Sequence, residues 1–319
     1  MSATATHTEP GPVQSAPELR VNHRQHWGWW ILVTFVLLFV GGIVKMLLTN
    51  PNLQWDVVGE YFFTARVLRG LLVTLELTAL AMFFGILLGI VTALMRLSPI
   101  PILSSVAWAY TWFFRGTPLL VQIIFWYNLA ALFPTLEVGI PLVGPSFYSG
   151  ETNAMITPFI AAVLGLALNE GAYMSEIVRS GLISVDQGQH EAAASLGMRG
   201  LRIMRRIVLP QAMRVIVPPT GNQVIGMLKS TSLVSVTSTA ELLYTSQQIY
   251  NQTFQTIPLL IVASIWYLIV SSVLSIFQYY IERHYARGGR RDLPMTPWQR
   301  LQSTVAGLRA RTQLERRAA

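Results

Sequence analysis

The sequence predicts an all-α integral membrane protein of six spans, and three observations predict it. Hydrophobic residues make up 52% of the 319 and charged residues only 12%, against about 25% charged in an ordinary soluble domain. Apolar stretches recur that reach the roughly 20 residues needed to cross a hydrocarbon core of about 30 Å, where every backbone group must be satisfied internally. Lys and Arg are gathered into a few segments, the pattern that marks cytoplasmic loops. The same composition excludes a disordered chain. The absence of Cys excludes disulfides, thiolate metal sites and cysteine nucleophiles. The only lysines, Lys45 and Lys229, follow Val44 and Leu228. A P-loop places Gly before its Lys, so this chain carries no such ATP site.

Residues 1–28 are rich in Thr, Pro, Glu and His and read as a disordered cytoplasmic tail. Residues 29–48 form the first span. Its long apolar run, its polar leader and the lack of a small-residue cleavage site make it an N-terminal anchor, not a cleaved signal peptide. Residues 49–66 then lie outside the cytoplasm. The second span is 71–95 and the third 104–133, which carries Arg115. Its aromatic part, 107–114, is expected near the inner interface, with Arg115 snorkelling to headgroups. Residues 156–178 and 257–281 are two further spans. Between them, 216–239 is ambiguous, because it contains Pro218, Pro219, Asn222, Gln223, Lys229, Ser230 and Thr231.

The ambiguous segment is either a span or a re-entrant loop, and charge favours the span. Residues 179–214 hold six arginines and 283–317 hold nine, whereas 134–154 and 236–257 hold neither Lys nor Arg. If both Arg-rich regions are cytoplasmic, an even number of crossings separates them, so 216–239 crosses as well. Both termini are then cytoplasmic, and the inner segments take nineteen of the 23 basic residues.

The loop ahead of 216–239 reads Glu191-Ala192-Ala193-Ala194-Ser195-Leu196-Gly197, then nine residues, then Ile207-Val208-Leu209-Pro210. Asp186 and Gln189 have capping-box spacing, the alanines favour helix, and Gly197 suits the left-handed residue that ends one. Residues 201–209 resume as a basic helix with Arg202, Arg205 and Arg206 on its solvated side. Such a compact projection, free of large side chains, fits a partner's groove and transmits a rigid push.

This E-A-A-x-x-x-G-x(9)-I-x-L-P pattern resembles the coupling loop of permease subunits of ATP-binding-cassette (ABC) importers. Three further segments resemble those of the polar-amino-acid permeases. They are Arg115-Gly116-Thr117-Pro118-Leu-Leu-Val-Gln122; Gly171-Ala-Tyr173-Met-Ser-Glu176-Ile-Val-Arg179-Ser-Gly181, with Leu182 where the family has Ile; and Leu228-Lys229-Ser-Thr-Ser-Leu233. Gly70-Leu-Leu-Val-Thr74-Leu-Glu-Leu77 resembles the opening of their first core helix. The resemblance implies a type I ABC importer transmembrane fold, with a five-helix core over 67–283 and a coupling loop over 186–210. The first span, 49–66 and the basic tail 284–319 are additions to it. It implies that Glu191, Ala192, Ala193, Gly197, Ile207, Leu209 and Pro210 couple to an ATPase subunit, which binds ATP and Mg. The other implied partners are a second permease subunit, identical or different, an extracytoplasmic solute-binding protein, and membrane lipid. The cargo is a polar amino acid, carried across the bacterial cytoplasmic (inner) membrane by alternating access. No catalytic residue, metal or cofactor is expected in this chain.

Ionisable groups inside a bilayer are functional candidates by default. Asn169 and Glu170 in the fourth span, and Asn222, Gln223 and Lys229 in the fifth, are the candidate solute path. The alternative for Asn169 and Glu170 is an interhelical pair, for example with Lys229. Glu176 and Arg179, three apart near the inner end, read as a structural pair or gate, and Glu76 as a solvated or capping residue. The polar face of the fifth span lines the path or a dimer interface, and Pro218-Pro219 are expected to break or kink its start. Gly85 and Gly89 permit close helix packing. In the tail, Pro297 suits a first helical position, and Trp298, Leu301, Val305 and Leu308 recur at helical spacing. That pattern reads as an interfacial helix on anionic lipid and not as a nucleic-acid arm. A secondary transporter or channel that uses no ATP would leave the E-A-A loop unexplained. A membrane enzyme lacks support, since none of the five His falls in a clear span.

Overall fold

The computed structural model describes residues 27–139, 146–286 and 302–303. The tail over 1–26 and nearly all of the expected amphipathic tail lie outside the described residues. The chain divides into two units, Met1–Leu53 and Gln54–Ala319. The first contains α1 (Trp27–Thr49), which is apolar on every face and carries Lys45 as its only charge. A helix of that composition suits a lipid surround on all sides.

The second unit runs α2 (Trp55–Phe62), α3 (Ala65–Arg96), α4 (Pro101–Gly116), α5 (Leu119–Tyr127), β1 (Thr135–Gly139), β2 (Ser146–Glu151), α6 (Thr152–Met155) and α7 (Pro158–Ile183). It continues with α8 (Gln187–Ser195), α9 (Gly200–Ile203), α10 (Leu209–Ser230), α11 (Leu242–Thr253) and α12 (Thr256–Ala286). A π turn over Met204–Val208 joins α9 to α10, and a 3-10 turn over Thr231–Thr237 leads out of α10. The antiparallel hairpin pairs Thr135 with Glu151 and Leu136 with Gly150. It departs from the all-helical expectation; the alternation of Leu136 and Val138 with Thr135 and Glu137 has the period of a strand.

α7 is the central helix, and its small residues let neighbours close in. A Cβ on Gly85 of α3 would lie 2.8 Å from the Glu170 side chain, and one on Gly89 would collide with Met174. The glycine pair therefore serves the packing of α3 on α7 within this chain. Leu77, Ala81, Ile123, Ala162, Leu166, Met227 and Val234 bury a core between α3, α5, α7, α10 and the turn after α10. Ala93, Met174, Val178, Ala212 and Ile216 form a second core between α3, α7 and α10. Val57 and Val58 of α2 pack with Leu242, Ile249, Leu259 and Val262. The segment 54–64 is thus part of the second unit, without a break in packing at residue 66.

Three expected elements differ in their bounds. The third stretch, 104–133, is two helices with a break at Thr117. Thr117 is extended (φ −110, ψ 145) because it precedes Pro118, and a residue before proline is driven out of the α region. The fifth span is displaced: helix covers 209–230 where 216–239 was expected, and 231–237 is 3-10. Pro218 and Pro219 lie inside α10 and do not break it. The basic stretch 201–209 is not a separate helix, since helical turns run without interruption from Gly200 to Ser230.

Candidate solute and coupling site

The site is built outward from the middle of α7. Asn169 is the twelfth of the 26 residues of Pro158–Ile183. It is buried, and its Nδ2 donates to the Phe114 carbonyl at 2.9 Å and to Gln122 Oε1 at 3.2 Å. Gln122 in turn closes the break between α4 and α5: its Nε2 donates to the carbonyls of Phe114 (2.9 Å) and Thr117 (3.1 Å) and to Thr117 Oγ1 (2.7 Å). The Tyr110 hydroxyl donates to the Leu168 carbonyl at 2.6 Å. The R-G-T-P segment is thus a polar bracket between two helices, held against α7 by one asparagine.

Arg115 sits on this bracket. Its guanidinium carbon is 5.4 Å from the centroid of the Tyr173 ring, a cation–π approach. α4 starts at Pro101, and fourteen residues of helix raise Arg115 by about 21 Å, to the level of the middle of α7. Its side chain is exposed on this chain.

Glu170 points the other way. Only 4% exposed, it accepts from Gln223 Nε2 of α10 with both carboxylate oxygens, at 3.2 and 3.3 Å. The alternative pairing with Lys229 is not made. Lys229 and Asn222 are exposed with Val215 and Pro219 on one face of α10, at spacings of three, four and seven residues. The five candidate path residues therefore divide. Asn169 holds α4 and α5, Glu170 and Gln223 join α7 to α10, and Asn222 and Lys229 stand on an open face.

Toward the other end of α7, Glu176 Oε2 accepts from Arg179 at 2.7 Å, and Arg96 at the end of α3 approaches Oε1 at 4.0 Å. Glu76 is exposed.

The coupling loop follows from its sequence atom by atom. The Asp186 side chain caps α8 by accepting from the Gly188 N–H at 2.7 Å. Gly197 is left-handed (φ 75), the Met198 N–H donates to the Ala193 carbonyl (3.2 Å), and the Gly197 N–H donates to that of Ala194 (2.9 Å). That pair of bonds is the Schellman motif, and a hydrophobic contact accompanies it, Met198 on the Ala193 cluster. Ala193 is 2% exposed and packs on Ile203 and Val208. It holds the loop together and leaves almost no surface of its own for docking. Glu191 and Ala192 are exposed, Ile207 is half-buried, and Leu209 and Pro210 are exposed. The projection is not free of large side chains: Leu196 is 83% and Leu201 85% exposed. The Leu209 N–H donates to the Met204 carbonyl, five residues back, so the turn is widened. Pro210, which has no N–H to give, stands where it ends.

Two buried polar residues carry no motif. Glu241, in the segment expected to be external, is fully buried. It caps α11 by accepting from the N–H groups of Leu243 (2.8 Å) and Tyr244 (2.6 Å), and it accepts from the Tyr267 hydroxyl (2.9 Å). Burial pushes its carboxyl above the usual range against the pull of these donors. An acidic residue just before a helix was the available signal. Gln278 is the one amide in 257–281 and is 7% exposed.

Residues 85–287 match the family model of the binding-protein-dependent transport system inner membrane component. The chain belongs to this family. It is a permease subunit of an ABC importer, and ATP hydrolysis falls to a separate ATPase. The permease is 40% identical over 291 residues, 91% of its own length and 88% of the relative's, to an arginine transport system permease protein of Corynebacterium glutamicum. It is 37% identical over 236 residues, covering 74% and 92%, to an L-cystine transport system permease protein of Bacillus subtilis. Among solved structures, a crystal structure of an amino acid ABC transporter with histidines matches at TM-score 0.59 and 38% identity, over 70% of the permease and 95% of that chain. The inward-facing methionine ABC transporter matches at TM-score 0.55 and 17% identity, over 69% and 96%, a likeness of fold alone.

Proposed function

We propose that this permease passes a polar amino acid across the bacterial cytoplasmic membrane, driven through the loop 186–210. The observation that carries the reading is continuity. The capped E-A-A helix α8 turns at Gly197 into one helical run, Gly200 to Ser230, whose far half bears Gln223 against Glu170. Movement imposed on the loop by the ATPase reaches the middle of α7 through a single rigid element. A free amino acid is a zwitterion, and its carboxylate needs a cation at mid-membrane depth. Arg115 over Tyr173 supplies one. Asn169 fixes the bracket that carries it. Glu170, held by Gln223, is the carboxylate that meets an ammonium or a cationic side chain when α10 moves away. Arginine is the first cargo to test, since the relative aligned over 91% of the chain bears that name. Both termini are assigned to the cytoplasm. No cofactor or metal belongs to this chain in the proposal.

The complex with its ATPase and binding protein, reconstituted in vesicles, is expected to accumulate radiolabelled arginine or another polar amino acid only with ATP, and to stop with Glu191→Ala or Gly197→Asp. Accumulation that persists without any ATPase subunit would overturn the proposal. A reporter fused near Gln248 is expected to read as external; a cytoplasmic signal overturns the orientation.

A further inference from the structure

α10 and α12 meet at a buried polar contact. Gln278 of α12 is 93% buried; its Nε2 donates to the Pro218 carbonyl of α10 at 2.7 Å and to Glu282 Oε1 at 2.8 Å. The amide occupies the notch left by Gly221, where a Cβ would collide with it. Its Oε1 has no hydrogen-bond partner. A buried amide with an idle acceptor is a costly choice for packing alone, since an apolar residue of equal size would fill the notch without it. What the amide adds is a fixed point: one donor aimed at one carbonyl of the neighbouring helix.

The place of that fixed point along α10 matters. On the loop side of it lie the π turn over Met204–Val208 and Pro210. On the other side, directly after Gly221, lie Asn222 and Gln223. Beside α10 is a largely apolar groove of about 640 Å³ that runs from Met204, Leu209 and Met213 past Gly221 and Gln278 to Val224. Closely packed helices are bistable and do not deform continuously. The groove leaves α10 room to move along this length, and the Gln278 contact at Pro218–Gly221 ties it to α12.

We infer that Gln278 is the pivot of α10: it holds Pro218–Gly221 on α12, so that displacement of the coupling loop swings the loop side of α10 into the groove and turns Gln223 relative to Glu170, and does not slide α10 along α12. The inference rests on the importer reading and names a positioning residue within it. In this reading Gln278 acts through α10 and not by contact with cargo or ATPase.

The test uses the complex of permease, ATPase and binding protein, and reads the ratio of ATPase activity with loaded binding protein to activity without it. Gln278→Met keeps the bulk and removes the donor; Gly221→Ala expels the amide from its notch. Each is expected to lower the ratio by roughly fivefold or more, mainly by raising the unstimulated rate. A residue that merely supports the fold would lower the yield of complex and leave the ratio of the assembled fraction unchanged, which overturns the inference. Because the chain has no Cys, the contact can also be rebuilt covalently with Gly221→Cys and Gln278→Cys together. The reduced pair is expected to be uncoupled and the oxidised pair to regain coupling. Failure of the two to cross-link, or loss of coupling on cross-linking, overturns it. A wild-type complex with no stimulation by any loaded binding protein instead defeats the importer reading itself.

Discussion

Glu170 on α7 and Gln223 on α10 are joined through both carboxylate oxygens, at 3.2 and 3.3 Å, with the carboxylate 4% exposed. A buried carboxylate with one amide donor is a group that the fold tolerates at a cost and that function can exploit. Removing the amide leaves the buried carboxyl without the side-chain donor that Gln223 supplies. Gln223→Leu is expected to destabilise the permease by about 1–2 kcal/mol, read as a lower melting temperature of the purified complex. Glu170→Leu combined with Gln223→Leu is expected to regain most of that stability, because both polar groups are then gone, and to remain inactive in uptake. A double variant that transports would show the pair to be packing alone.

The two α10 and α3 glycines Gly226 and Gly89 make opposite predictions. A Cβ on Gly89 meets Met174 across the α3–α7 contact, whereas one on Gly226 meets nothing within 4 Å. Gly89→Ala is expected to cost about 1–3 kcal/mol as overpacking. Gly226→Ala is expected to leave the isolated permease as stable or to gain up to about 1 kcal/mol of helix propensity. Thermal melts of the two variants in one detergent decide it. If Gly226→Ala loses uptake while its melt is unchanged, the open face of α10 is in contact with cargo or with the second permease subunit.

Gly197 carries a backbone prediction. At φ 75 it occupies the left-handed region and closes the Schellman pair from Met198 and Gly197 to Ala193 and Ala194. Gly197→Ala is expected to weaken the loop by about 1–2 kcal/mol, the left-handed penalty of a Cβ, while Gly197→Asn is expected to lose less. Co-purification of the ATPase, compared across the two variants at equal membrane yield, measures the difference. Equal retention would mean that the loop's end does not need this geometry.

Much of this was legible in the sequence because it is local. Asp186, the alanine run and Gly197 each determine their own backbone, and the predicted cap and stop are formed by those residues. The family segment at Arg115 also marked Gln122, yet the division of the stretch that holds it was missed. Hydropathy sees a long apolar stretch across 104–133, and the break at Thr117 depends on one proline whose effect on topology is visible only when α4 is laid beside α7. The bounds of α10 were shifted for a related reason. The basic residues Arg202, Arg205 and Arg206 read as a short helix of their own ahead of the span, but a helix can leave the membrane and keep its hydrogen bonds, so charge marks the interface and not the helix end. Gln278 and Glu241 were hidden because their roles depend on partners sixty and twenty-six residues away, Pro218 and Tyr267, and no periodicity encodes such a pair.

The exposed leucines of the coupling loop yield the remaining prediction. The alanines of the E-A-A segment give α8 its shape, and Ala193 is spent on packing against Ile203 and Val208. Leu196 and Leu201 flank the turn at Gly197 with 83% and 85% of their surface free, on a segment where Arg199, Arg202, Arg205 and Arg206 are also exposed. Two free leucines beside one turn offer a partner an apolar anchor, and burying each fully is worth about 1.5–3 kcal/mol. The ring of arginines calls for an acidic rim around an apolar floor on that partner. Leu196→Ser and Leu201→Ser are therefore each expected to weaken retention of the ATPase by about tenfold or more, with insertion of the permease and its melting temperature unchanged, since neither side chain touches the permease core. Arg202→Glu is expected to weaken it as well, more strongly at low salt than at high, because screening removes a surface charge effect and leaves an apolar one. Titrating the purified ATPase onto the permease in nanodiscs at two ionic strengths separates the apolar anchor from the charged rim. Unchanged affinity for both leucine variants would place the docking surface on Glu191 and Ala192 instead.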